Sequence, residues 1–120
     1  MTEPAQQWRT GLRARLVAAR KAKDTASTAA LRSALSAIDN AETPDVPLPR
    51  AGAIADSAHG LGAAEVARRR LTDGQIRELI ETEADERRAA AEQLRSVGHD
   101  DRAAQVEAEA DVLRELLGAD

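Results

Sequence analysis

The six residues Leu71-Thr72-Asp73-Gly74-Gln75-Ile76 constrain this chain more than any other stretch. Thr72 and Gln75 have the spacing of a capping box, in which each side chain bonds the other residue's orphaned backbone N–H. Leu71 and Ile76 flank it where a hydrophobic staple belongs. Beyond it Ile76, Leu79, Ile80, Ala84, Ala91 and Leu94 recur at three- and four-residue steps up to Gly98, which stands where a left-handed C-terminal cap is expected. Asp100 can then cap a second helix striped by Ala103, Val106, Ala110, Leu113 and Leu117. The spacing predicts two long helices, 72–97 and 101–117, packed antiparallel across a turn of a few residues.

The apolar residues needed to bury such helices are few. Of 120 residues 27 are alanine and only 24 are Val, Ile, Leu, Met or Trp, with no Phe or Tyr. Alanine has the highest helix propensity and lets helices approach closely, while no segment shows the alternation of a half-buried strand. The expected fold class is therefore all-α, a single domain of two antiparallel helical hairpins. A core this thin also makes a structural homo-oligomer a reading to keep.

In the N-terminal part, Pro4 suits a first helical turn, and Trp8, Leu12, Leu16 and Ala19 share one helix face. Arg9, Arg13, Arg20, Lys21 and Lys23 occupy much of the remainder, and Gly11 weakens the helix by about 1 kcal/mol relative to alanine. The helix is expected over 4–23. Asp24, Thr25, Ser27 and Thr28 offer N-caps for the next, over 25–42, striped by Leu31, Ala34, Leu35, Ile38 and Ala41 and stopped before Pro44. Residues 1–42 thus form a first hairpin and 72–117 a second. Between them 43–71 is a connector rich in proline and glycine, longer than most loops within compact domains, and its residues 63–70 are expected to form a helical turn or two.

Charge is divided unevenly. Residues 1–50 hold 8 Lys and Arg against 5 Asp and Glu, and residues 51–120 hold 9 against 16, so the halves carry +3 and −7 within a total of −4. The expected use is internal, with the basic first helix lying along the acidic second hairpin. A nucleic-acid binder usually shows a basic balance across the whole domain, which is absent, although a local basic patch is compatible with these numbers.

No catalytic constellation is visible. The chain has no cysteine, and His59 and His99 stand forty residues apart in expected loops, without the spacing of a zinc site. Glu81, Glu83, Asp85 and Glu86 lack the histidine partners of a di-metal centre, and Glu83 with Arg87 and Arg88 with Glu92 have the spacing of surface i,i+4 pairs. Gly60-Leu61-Gly62 lacks the rest of a phosphate loop. No serine lies in a nucleophile elbow. Neither a metal nor a cofactor is expected. With no apolar run long enough for a membrane span and no leader-like N-terminus, no membrane association and a cytoplasmic location are the expectations. Arg32, Ser36 and Asn40 form a polar row along the second helix, for which hydrogen bonding across to the acidic hairpin is expected, with binding of a partner as the alternative.

The run from Leu12 to Glu42 resembles the opening of the GatB/YqeY family through Lys21, Lys23, Asp24, Leu31, Arg32, Ser36, Ala37, Ile38, Asn40, Ala41 and Glu42, where a Lys-x-Lys-Asp-like turn leads to a Ser-Ala-Ile-x-Asn-Ala-Glu run. The run from Glu86 to Leu117 is similar to the family's third and fourth helices. The resemblance implies a helical domain similar to the C-terminal portion of the B subunit of the tRNA-dependent amidotransferase, which amidates mischarged tRNA with glutamine as nitrogen donor. Longer members continue into a second small helical domain, so a short form is the expectation here. The implied function is a non-catalytic accessory or binding protein. Its implied partners are tRNA or an amidotransferase-like protein, and participation in carbon–nitrogen ligation is an alternative. The candidate binding residues are Arg13, Arg20, Lys21, Lys23 and Arg32 on the basic side, with Asn40 and Glu42 at the helix end, facing an acidic partner.

Overall fold

Each helix starts and stops on local chemistry that the sequence displays. The computed structural model describes residues 3–44 and 69–118, and in them the helices are α1 (Pro4–Lys21), α2 (Thr25–Glu42), α3 (Asp73–Ser96) and α4 (Asp100–Gly118). Most of the connector, residues 45–68, lies outside the described residues, and so does the helical turn expected at 63–70 apart from Arg69 and Arg70. Pro4 opens α1, where its missing N–H costs nothing. Asp24 caps α2 by accepting from the Ser27 backbone N–H at 3.0 Å. The capping box at Thr72 is complete, with Gln75 N–H on the Thr72 hydroxyl at 3.1 Å and Thr72 N–H on Gln75 Oε1 at 2.9 Å. After α3 the chain turns at Gly98, whose φ of 84° fits glycine, with the His99 N–H reaching back to the Leu94 carbonyl at 2.8 Å.

Two boundaries differ from expectation. Asp100 is the first residue of α4 rather than its cap, and it puts a carboxylate with Asp101 in the positive first turn. The first helix ends at Lys21, two residues early, because Lys23 takes a left-handed conformation with φ 58°.

α2 is the central helix. It touches each of the other three, while the most extensive interface is that between α3 and α4. Its Ala30, Ala34 and Ile38 are fully buried, and around them pack Leu12 and Ala19 of α1, Ile76, Ile80 and Ala84 of α3, and Leu113 and Leu116 of α4. Alanine at the crossings allows this closeness, and the few large side chains fill what remains. At 24 residues α3 runs about 36 Å, against about 27 Å for α2. The outer end of the second hairpin therefore carries its own small cluster of Ala91, Ala103 and Val106.

The charge asymmetry is not resolved by laying α1 along the acidic hairpin. Arg9 pairs instead with α2, bonding Asp39 at 2.7 Å and the buried Glu42. These bonds, that to Glu42 foremost, hold the guanidinium charged, with its pKa above the ordinary arginine value. The contact between α1 and α3 is small by comparison, and at it the Trp8 indole N–H donates to Asp73 at 2.7 Å. Arg77 lies over the Trp8 ring, 5.5 Å from its centroid, and bonds both Asp73 at 2.8 Å and the Leu117 carbonyl at 3.0 Å.

The Trp8 bond, and after it Arg77, holds the Asp73 carboxyl below the usual aspartate range, as the Ser27 hydroxyl does for Asp24. A depressed carboxylate stabilises the fold above its unfolded pKa of about 4 and loses that contribution as pH falls through the folded value. Melting temperature is thus expected to fall as pH drops below about 4, and Asp73→Asn is expected to flatten that slope. An unchanged slope in the variant would show that the Trp8 bond contributes nothing.

Candidate anion-binding surface

A basic side chain is available to a partner only if no carboxylate of the same chain has taken it. In the described residues Arg9, Arg70, Arg77, Arg87, Arg95 and Arg114 are all in ion pairs. The exposed cations of α1, α2 and the turn between them, Arg13, Arg15, Arg20, Lys21, Lys23 and Arg32, have none among the described residues, and Arg88 and Arg102 on the second hairpin share that state. Six of the eight therefore lie on the first hairpin.

Three of the expected binding residues converge. Arg20, Lys23 and Arg32 line one hollow of about 410 Å³ together with Asp24, Thr25, Thr28 and Ala29. The geometry follows from the turn. α1 ends with the Lys23 N–H on the Arg20 carbonyl at 3.1 Å and the Asp24 N–H on the Ala19 carbonyl at 2.9 Å, a closure that requires a left-handed residue at position 23. That brings the last turn of α1 beside the first two turns of α2. Asp24 is the one carboxylate in the hollow, and it is occupied by the Ser27 backbone N–H and by the Ser27 hydroxyl at 2.7 Å. The N-terminus of α2 is thus capped from within, and the cationic side chains are what the hollow offers an anion.

Lys23 is unusual there. Glycine takes this position most readily, because a Cβ in the left-handed region costs about 1 kcal/mol or more. Lys23→Gly is expected to stabilise the fold by about 0.5–1 kcal/mol net of the added backbone freedom, read as a small rise in thermal midpoint. A fall would mean that the lysine itself supports the turn.

The other candidates lie elsewhere. Arg13 and Lys21 are exposed on α1 outside the lining of the hollow. Asn40 is exposed about 12 Å along α2 from Arg32, and Glu42 is buried in its pair with Arg9. Arg32, Ser36 and Asn40 are all exposed, so the polar row does not pack between helices as expected. Ser33, one position round the helix, does so instead, accepting from Arg87 of α3. Nor are Glu83 with Arg87 and Arg88 with Glu92 two surface pairs. The second does not form among the described residues, and in the first Arg87 extends to Glu109 of α4 at 3.1 Å.

Sequence reasoning missed Glu109, although its register was visible. It stands three residues after Val106 and four before Leu113, on the apolar stripe of α4, and a charge in that register calls for a partner. No helix among the described residues is long and apolar enough to cross a membrane. No protein-family model, curated protein or solved structure matches this chain.

Proposed function

We propose that this chain is a non-catalytic helical accessory protein of the GatB/YqeY type, and that its first hairpin binds RNA, tRNA foremost, through phosphate contacts. The observation that carries the reading is the group of six exposed cations on α1, α2 and their turn without a carboxylate partner among the described residues. The resemblance of the Leu12–Glu42 run to the family adds tRNA as the polyanion to try first. The acidic balance of residues 51–120 complements this, since a surface of the opposite sign turns the basic end toward a polyanion.

Labelled tRNA titrated with the protein across a salt series tests the proposal by fluorescence anisotropy. Engagement of four to six phosphates gives a logarithmic salt slope of roughly −3 to −5. Absence of binding at low salt would remove the RNA reading. A role in amidation further predicts co-purification with an amidotransferase core, and normal amidation without the protein would end that part of the proposal.

A further inference from the structure

A second hollow, of about 260 Å³, opens where α1 meets α3 and the end of α4, away from the cationic turn. Leu12, Leu116 and the half-buried Trp8 supply its apolar surface, and Arg15, Arg77, Gln7 and Asp73 its polar groups. Asp73 is already held by Trp8 and Arg77, and Arg77 by Asp73, the Leu117 carbonyl and the Trp8 ring. Arg15 is exposed and has no ion pair among the described residues. With two arginines and one carboxylate the lining carries a net positive charge.

Gly11 is the second, independent observation. It lies inside α1, where glycine weakens a helix, yet no left-handed backbone or close neighbour requires it. A Cβ built there would meet nothing within 4 Å. Its helix neighbours on the same face are Gln7 and Trp8 on one side and Arg15 on the other, all part of the lining. A side chain at position 11 would stand in the mouth of the hollow, between the indole and the Arg15 guanidinium.

We infer that this hollow binds a small organic carboxylate, its flat or short apolar body against Trp8, Leu12 and Leu116 and its carboxylate on Arg15. A pre-formed apolar surface with one convergent cation that has no ion pair is the pattern of a small-molecule site, here just below the usual size range of about 300–1,000 Å³ and so suited to a small ligand. Arg15 also counts among the six cations of the RNA proposal, but it lies outside the cationic turn, so the site is tested on RNA-free protein and stands or falls separately.

Trp8 is the sole aromatic residue, so its emission reports on the hollow directly. Benzoate is the probe, with benzyl alcohol as the neutral control at matched ionic strength. Benzoate is expected to change Trp8 emission saturably, with a dissociation constant in the millimolar range. Benzyl alcohol should bind about tenfold more weakly, and Arg15→Gln should weaken benzoate by a similar factor, as loss of one charged hydrogen bond implies. Gly11→Leu should abolish saturation while its thermal midpoint rises, since leucine strengthens the helix and its Cβ meets nothing within 4 Å, and that rise shows the loss is not unfolding. Linear quenching that is equal for the two probes would overturn the inference. So would saturation that persists in Gly11→Leu.

Discussion

Arg87→Ala is expected to destabilise the protein by about 3 kcal/mol, the range for removing one partner of a largely desolvated ion pair. The Arg87 side chain is 18% exposed, and its guanidinium bonds Glu83 and Glu109 at 3.1 Å, together with Ser33. It thereby ties α3 to both α4 and α2. Truncation leaves Glu109, whose side chain is 12% exposed, with Gln105 as its one other bonded side chain, at 3.3 Å. The desolvation of that carboxylate is then uncompensated, which outweighs the bonds themselves. For a chain of this size the loss corresponds to a fall in thermal midpoint of roughly 10 °C or more. Replacing both partners, Arg87→Met with Glu109→Leu, is expected to restore most of it, because an apolar pair in the same space carries no desolvation cost. A midpoint within about 2 °C of the native protein for Arg87→Ala alone would show that the node is solvated and contributes as little as a surface pair.

The second large effect is on binding. Reversing three charges together, Arg20→Glu with Lys23→Glu and Arg32→Glu, is expected to weaken tRNA binding by about 100-fold or more, through lost phosphate contacts and new repulsion. All three side chains are exposed and bond no carboxylate among the described residues, so their reversal breaks no ion pair and costs the fold only the small dipole effect of Arg20 in the last turn of α1. The salt slope should shrink by two to three at the same time, because each lost phosphate contact removes about one counterion. Reversal of two charges, at Arg88 and Arg102, the cations of the second hairpin with no ion pair among the described residues, is the control and should leave affinity within about twofold. An equal loss per reversed charge from both sets would place the effect in net charge instead of in the cationic turn.

Much of the fold was legible because helix ends are decided locally. Asp24, the Thr72 and Gln75 pair and Gly98 each act within a few residues of themselves, so their chemistry can be read from the chain alone. What periodicity could not give was the partner of each stripe. α2 stands at the centre, although its apolar stripe is no broader than the others, because alanine can serve the core or the surface. Ala91 and Ala103 are fully buried while Ala89 and Ala104 are exposed. The ion pairs were only partly legible for the same reason. Spacing on one helix pointed to Glu83 with Arg87, and that pair forms, but the further partners of Arg87 come from α2 and α4. Trp8 and Asp73 meet across 65 residues, a separation at which sequence spacing carries no information.

For the binding residues, the basic character of the first hairpin was plain in the sequence. Which of its cations remain available was not, since that depends on where every carboxylate lies. Arg9 looked like one more member of the basic face until Asp39 and Glu42 were found against it. Lys23 carries the opposite lesson. Its charge was visible, but the left-handed backbone that makes it conspicuous belongs to the closure of the turn.

That residue offers the most direct test of the account, because one substitution separates folding from function. tRNA titrations of the native protein and Lys23→Gly, run over the same salt series beside thermal melts, are predicted to show a more stable variant. That variant should bind several-fold more weakly, with a salt slope reduced by about one. A variant that is more stable and binds tRNA with native affinity and native slope would contradict the claim that the turn between α1 and α2 is a phosphate-binding surface.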